Sequence, residues 1–381
     1  MSAPRPRVLL SARDPGAAAH VAPLARALTA DGRVEVRLVA SDPALAALTA
    51  EAIAVEPFAL PGGRAHVEPG GDPAELVRAA AALLARHRPD AVVTGISSLG
   101  VGVDEALLAA AGDRPTFALQ DYPGDANAIG GAYARCYLVR DEPAARLTES
   151  RFPVRALAIG SLRHAAYAAL DVAALRADTR RRIGAHPDRT VVGFFGQPPE
   201  IPGHEAAFGH LVAALRPRAA TAQVLLREHP KAGERRAAHL AALAGAGLAV
   251  HDASGDGPVE PWLAACDLVT TCYSHCTMDY AFLDGRSPEP LGSVLFLMTT
   301  PEARAYLLDY GGLEAPDGVA QGLGRMATAP AAVEALVAEL LAEPARRAFH
   351  AASARLAAEH APRAAVEPIV EAALGRVRAA P

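Results

Sequence analysis

Cysteine is scarce. The 381-residue chain has four, at positions 136, 266, 272 and 276, too few and too scattered for a disulfide framework, so a reduced interior is expected. Aromatic side chains make up only 5%, which excludes the stacking surface that single-stranded nucleic acid needs. Basic residues are in no excess: 37 Lys and Arg against 42 Asp and Glu leave a net charge of −5 and no nucleic-acid footprint. The short runs RADTRRR (176–182) and ERR (234–236) read as solvated helix faces. No apolar run of about 18 residues stands out as a membrane span. The opening MSAPRPRVLLSARDPG lacks the apolar core of a signal peptide, so a cytoplasmic protein is expected. Repeats of about 20–50 residues and low-complexity tails are absent as well.

What is present is a globular composition, 51% hydrophobic and 21% charged, at a length that suits two domains of about 150–200 residues. Much of the apolar content is alanine, which with 32 Gly and 31 Pro suits a GC-rich bacterial genome. Short apolar runs alternate with alanine-rich helical stretches. Strands are predicted at 7–12, 34–41, 90–96, 115–121, 135–141 and 156–161, and again at 190–196, 222–230, 248–253, 268–274 and 293–298. Parallel strands need crossover connections, so this alternation predicts helix-covered parallel sheets. Two Rossmann-like α/β domains facing a cleft are expected, at 1–165 and 185–355, with a helical, hinge-like linker near 162–188.

Ligands in open parallel sheets sit beyond the carboxyl ends of the strands, and polar residues cluster there. In the first half these are Asp14 and Gly16, then Ser97 and Ser98, then Gln120 and Asp121. In the second half they are Gly196 and Gln197, Arg227 and His229, and the stretch 274–279. The turn SARDPGAAAH is neither GxGxxG nor GxxxxGK[ST], so neither a dinucleotide fingerprint nor a P-loop is supported. Asp14 either caps the following helix or serves as base for an acceptor hydroxyl, while His20, one turn in, is expected to be a packing or surface residue. Ser97 and Ser98 lie in a donor-rich loop suited to sugar hydroxyls, and GISSLG is one residue too long for a nucleophile elbow. Arg227 and His229 alternate at a strand end and suit phosphate, Arg by its forked donors.

The segment TTCYSHCTMDYAFLDG (270–285) passes from buried strand to amphipathic helix. Ser274 is predicted as the helix N-cap, with the first-turn N–H groups of His275, Cys276 and Thr277 forming a diphosphate cradle and His275 adding a chargeable donor. A zinc site on Cys272, His275 and Cys276, a cysteine nucleophile, and a plain helix cap are the competing readings. No second CxxC or HxH lies nearby, and no metal is expected.

The two Rossmann-like halves, the His229–Pro230 strand end and the turn Thr271-x-x-Ser274…Asp279-x-Ala281 resemble the GT-B superfamily of nucleotide-sugar enzymes, which contains glycosyltransferases and UDP-N-acetylglucosamine 2-epimerases. Where epimerase-like relatives have a glycine pair and two glutamates in this turn, the chain has His275-Cys276, Asp279 and Tyr280, and it lacks their N-terminal G-T-R-P-E stretch. The resemblance implies a metal-independent, hexosyltransferase-like enzyme with no cofactor other than its nucleotide-sugar co-substrate, UDP-linked first and CMP-linked second, and a small-molecule acceptor. Catalytic roles fall to Asp14, Asp121 and His275. Donor binding falls to Gly196, Gln197, Arg227, His229, Ser274, Cys276, Thr277 and Asp279, and acceptor binding to Gly16, Ser97, Ser98 and Gln120. It also implies a C-terminal helix, 356–381, packing back toward the N-terminal domain. The alternatives are a nucleotide-sugar 2-epimerase or hydrolase and a non-catalytic two-lobed binding protein. Oligomeric state is not legible.

Overall fold

The structure, a computed structural model, describes residues 4–60, 63–97, 100–360 and 366–375. The chain forms two compact units, Met1–Ala166 with His360–Pro381, and Tyr167–Glu359. Among the described residues no helix is long and apolar enough to cross a membrane.

The first unit is built on strands β1 (Arg7–Ala12), β2 (Glu35–Ala40), β3 (Glu56–Pro57), β4 (Ala91–Thr94), β5 (Thr116–Leu119), β6 (Cys136–Val139) and β7 (Arg155–Ala158). They form one parallel sheet in the order β3-β2-β1-β4-β5-β6-β7. The central strands β4 and β5 are buried along their whole length, because helices cover both faces of an all-parallel sheet. Val8, Leu10 and Val93 pack on one face against Val21, Leu24 and Leu28 of the helix Pro15–Asp31. Leu9 and Val92 pack on the other with Leu76, Leu83 and Leu107. The helix Val366–Ala373, from the far end of the chain, joins the first of these cores through the fully buried Ile369 and Val370.

The second unit repeats the plan with β8 (Thr190–Phe195), β9 (Ala222–Arg227), β10 (Ala249–Asp252), β11 (Leu268–Thr271), β12 (Ser293–Leu297) and β13 (Arg325–Ala327). All are parallel, in the order β10-β9-β8-β11-β12-β13. Val191, Val192, Phe194, Leu225, Val269 and Phe296 fill its core. In both units the order reverses beside the first strand, at β1/β4 and at β8/β11, which is where such sheets leave a crevice.

The α/β architecture and the two Rossmann-like sheets agree with the sequence-based expectation. The strands at 56–57 and 325–327 were not expected: two and three residues long, they show no periodicity that a sequence can display.

Candidate active site

In the first unit, β1 runs through Arg13 and Asp14 into the helix Pro15–Asp31. Asp14 holds the N-cap position with extended backbone, yet its side chain makes no capping hydrogen bond; its Oδ2 lies 3.7 Å from Arg13 Nη1. Gly16 is where a second element comes close, since a Cβ there would collide with the Asp121 carboxylate arriving from the end of β5. The same carboxylate reaches His20, whose Nε2 lies 3.1 Å from Asp121 Oδ1. The imidazole is 12% exposed and the carboxylate 36%, so the dyad is reachable from solvent. His20 was expected merely to pack. Its partner is 101 positions away, and only the sheet order brings the two together.

Beside this dyad stand two buried acids. Asp104 accepts from Ser11 Oγ (2.5 Å), from the Arg13 N–H (3.0 Å) and from Ser97 Oγ (3.3 Å). Glu105 accepts the N–H groups of Ser97 and Gly102, each at 2.8 Å, and so closes the first turn of the helix Val103–Ala110. Burial raises the pKa of both, with Asp14 adding to the effect on Asp104 and Asp104 to that on Glu105. Asp125 is pushed up to about 7 by enclosure and then by the charge of Asp121.

These acids hold Ser97, which is buried with its N–H and hydroxyl turned to them, not out to a ligand. Gln120 is also turned inward: its amide donates to the Asp125 carbonyl and to Thr148 Oγ1, both at 2.8 Å. Ser98 lies outside the described residues.

In the second unit β8 lies between β9 and β11, so Gly196, His229 and the turn after β11 share one end of the sheet. A Cβ on Gly196 would collide with the Glu228 carboxylate and sit 3.1 Å from the His229 N–H nitrogen. Gln197 bridges the reversal point, its Oε1 accepting from the Tyr273 N–H at 3.1 Å. His229 Nδ1 accepts from the Lys231 N–H at 3.2 Å, which leaves the proton of a neutral ring on Nε2 as a donor; burial lowers its pKa.

The helix after β11 runs Cys276–Asp284, with His275 at the cap position. Ser274, expected there, stands one residue earlier. It still serves the turn, its hydroxyl accepting from the Cys276 N–H (3.4 Å) and its carbonyl from Thr277 Oγ1 (3.0 Å). His275 Nε2 lies 3.6 Å from Asp317 Oδ2, and its side chain is 18% exposed. The helix thus directs its first turn to the end of the sheet where β8 and β11 part, with Cys276 partly exposed and Thr277 buried.

The structure gives three further groups other surroundings than the sequence suggested. Arg227, expected to fork onto phosphate, spends Nη1 on the carbonyls of Ala253 (2.9 Å) and Asp256 (3.2 Å) and one Nη2 donor on that of Gly257 (2.6 Å), and so anchors the loop after β10. Asp279, expected to face ribose hydroxyls, is 2% exposed. The Cys272 alternative loses its basis too, because the thiol is fully buried and burial pushes it up to about 12.

No protein-family model matches the sequence, and no curated protein is similar to it. Solved structures are similar in fold. The UDP co-structure of S. aureus MnaA superposes with a TM-score of 0.68 at 14% identity, covering 98% of each chain. The UDP-GlcNAc 2-epimerase from Neisseria meningitidis, bound to UDP-GlcNAc, gives 0.63 at 14% identity over 97% of this chain and 100% of that one. A glycosyltransferase from Rickettsia africae gives 0.62 at 9% identity over 97% of each. The chain has the GT-B fold.

Proposed function

We propose that the protein is a glycosyltransferase that takes a sugar from a nucleotide-sugar donor, with the second unit holding the nucleotide diphosphate. One observation carries this reading: the first turn of the helix Cys276–Asp284, flanked by His275, opens at the strand-order reversal beside Gly196 and His229. Helix-end N–H groups and the macrodipole favour an anion there. The UDP and UDP-GlcNAc carried by the similar structures support a UDP-linked donor.

In this reaction an acceptor hydroxyl oxygen attacks the anomeric carbon while the bond from that carbon to the diphosphate oxygen breaks. Taken by itself, the first unit offers His20, oriented by Asp121, as a group to take a hydroxyl proton; taken by itself, the second offers His229 and His275 as donors to a diphosphate as its charge grows. Asp14 and Asp121 are partly exposed, whereas Asp104 and Glu105 are buried and hold the β1 and β4 turns.

A 2-epimerase is the second reading, favoured by the several UDP-N-acetylglucosamine 2-epimerases among the similar structures. A thermal-shift panel of UDP, CMP, GDP and ADP tests the donor, with UDP expected to stabilise most. Incubation with UDP-GlcNAc alone then separates the chemistries, because an epimerase yields UDP-ManNAc without acceptor and a transferase does not. Absence of stabilisation by every nucleotide would remove the donor assignment.

A further inference from the structure

The helix His204–Leu215 begins with a histidine that is 1% exposed and has no hydrogen-bond partner on either ring nitrogen among the described residues. A buried imidazole with both nitrogens idle is costly unless something binds it. Beside it, from the helix Arg235–Gly245, comes His239, 3% exposed. Its Nε2 is 2.9 Å from Glu205 Oε2 and its Nδ1 is 2.6 Å from Glu228 Oε1. Arg235 pairs with the other oxygen of Glu205, leaving Oε2 turned toward His239. Nothing in the donor reading uses His204, Glu205 or His239.

We propose that His204, Glu205 and His239 form a divalent-cation site of zinc type, with Glu228 as the carboxylate that orients His239. One ligand atom from each of the three lies within 4.8 Å of the others. Zinc held by bonds of about 2.0–2.1 Å has ligand atoms roughly 3.3 Å apart, so the Glu205–His239 pair, at 2.9 Å, opens slightly and His204 closes by up to about 1.5 Å. Two imidazoles and one carboxylate are a zinc donor set, with a fourth position left for water. A ligating histidine characteristically gives its other ring N–H to a carboxylate, and the short contact to the buried Glu228 has that form. The remaining Glu228 oxygen has no partner and lies where a Cβ of Gly196 would be. A cation there ties the helix entry at 204 to the end of β9 and holds Glu228 and the adjoining His229 in place.

The site is tested on the full chain, dialysed with chelator and then titrated with zinc chloride or cobalt chloride. One equivalent of zinc by mass spectrometry, a tetrahedral cobalt spectrum and a raised melting midpoint are expected. Glu205→Gln, at a half-exposed side chain and therefore safe for folding, should weaken zinc binding by more than about tenfold. Glu228→Gln should weaken it by about 10–100-fold with cobalt still tetrahedral. No binding by the wild-type chain, or unchanged stoichiometry and midpoint shift in Glu205→Gln and His204→Gln, overturns the site. None of these readouts depends on transferase activity.

Discussion

The two units use one topology with different side chains just past the strands: more carboxylates in the first, more imidazoles in the second. Past the strands of the first sheet stand acids: Asp104 and Glu105 buried, and Asp121 and Asp125 near the imidazole of His20. At the reversal point of the second stand donors: His229, His275 and a helix N-terminus over Gly196. Under the proposed reading, carboxylates suit proton transfer and imidazoles with a helix N-terminus suit a diphosphate. The comparison shows that strand order fixes where a site lies, while the residues just past each strand decide its chemistry.

The sharpest test of that division is Asp121→Asn. If the dyad takes the acceptor proton, kcat should fall by about 10²–10⁴ with the melting midpoint nearly unchanged, since the carboxylate is substantially exposed. Activity within a few-fold of wild type would move proton transfer elsewhere. Next in size, His275→Ala should lower kcat by ~10² while leaving donor affinity within a few-fold, because its donor matters most as the diphosphate departs. An equal loss in binding and turnover would recast it as a plain binding residue.

Arg227→Ala should act on stability instead of binding. Leaving three loop carbonyls without their donor should cost about 2 kcal/mol in urea unfolding, with UDP affinity preserved. The smallest effect concerns pH. Asp125 has a folded-state pKa of about 7 against about 3.9 for an unfolded aspartate, so the folded chain holds the extra proton between those values. Its contribution to stability is therefore present below about pH 4 and is lost as pH rises through 7. With partial solvent access the whole change should be ~1–2 kcal/mol, and Asp125→Asn should flatten it.

Much of this division was legible in the sequence, and the limits have physical causes. Strand ends marked by Gly16, Asp121, Gly196 and His229 follow from local periodicity, and they fell at the ends of β1, β5, β8 and β9. Contacts between elements do not. The His20–Asp121 dyad depends on β1 and β5 flanking β4, and the carbonyls around Arg227 come from a loop about 30 residues on. The 204/205/239 cluster joins two helices and the end of β9, with no spacing motif to announce it. Charged residues at strand ends thus showed where to look, and packing decided which of them face outward.

The first unit closes with a helix contributed by the last part of the chain, Ile369 and Val370 filling the face of the helix Pro15–Asp31. On the ribosome this inverts the usual order, in which the N-terminal domain is finished first. The unit begun at residue 7 cannot seal its apolar face until residues 366–373 have emerged, after the whole of the second unit. Nascent chains stalled before that point should carry a sticky helix face, a place for a chaperone to hold until residues 366–373 arrive.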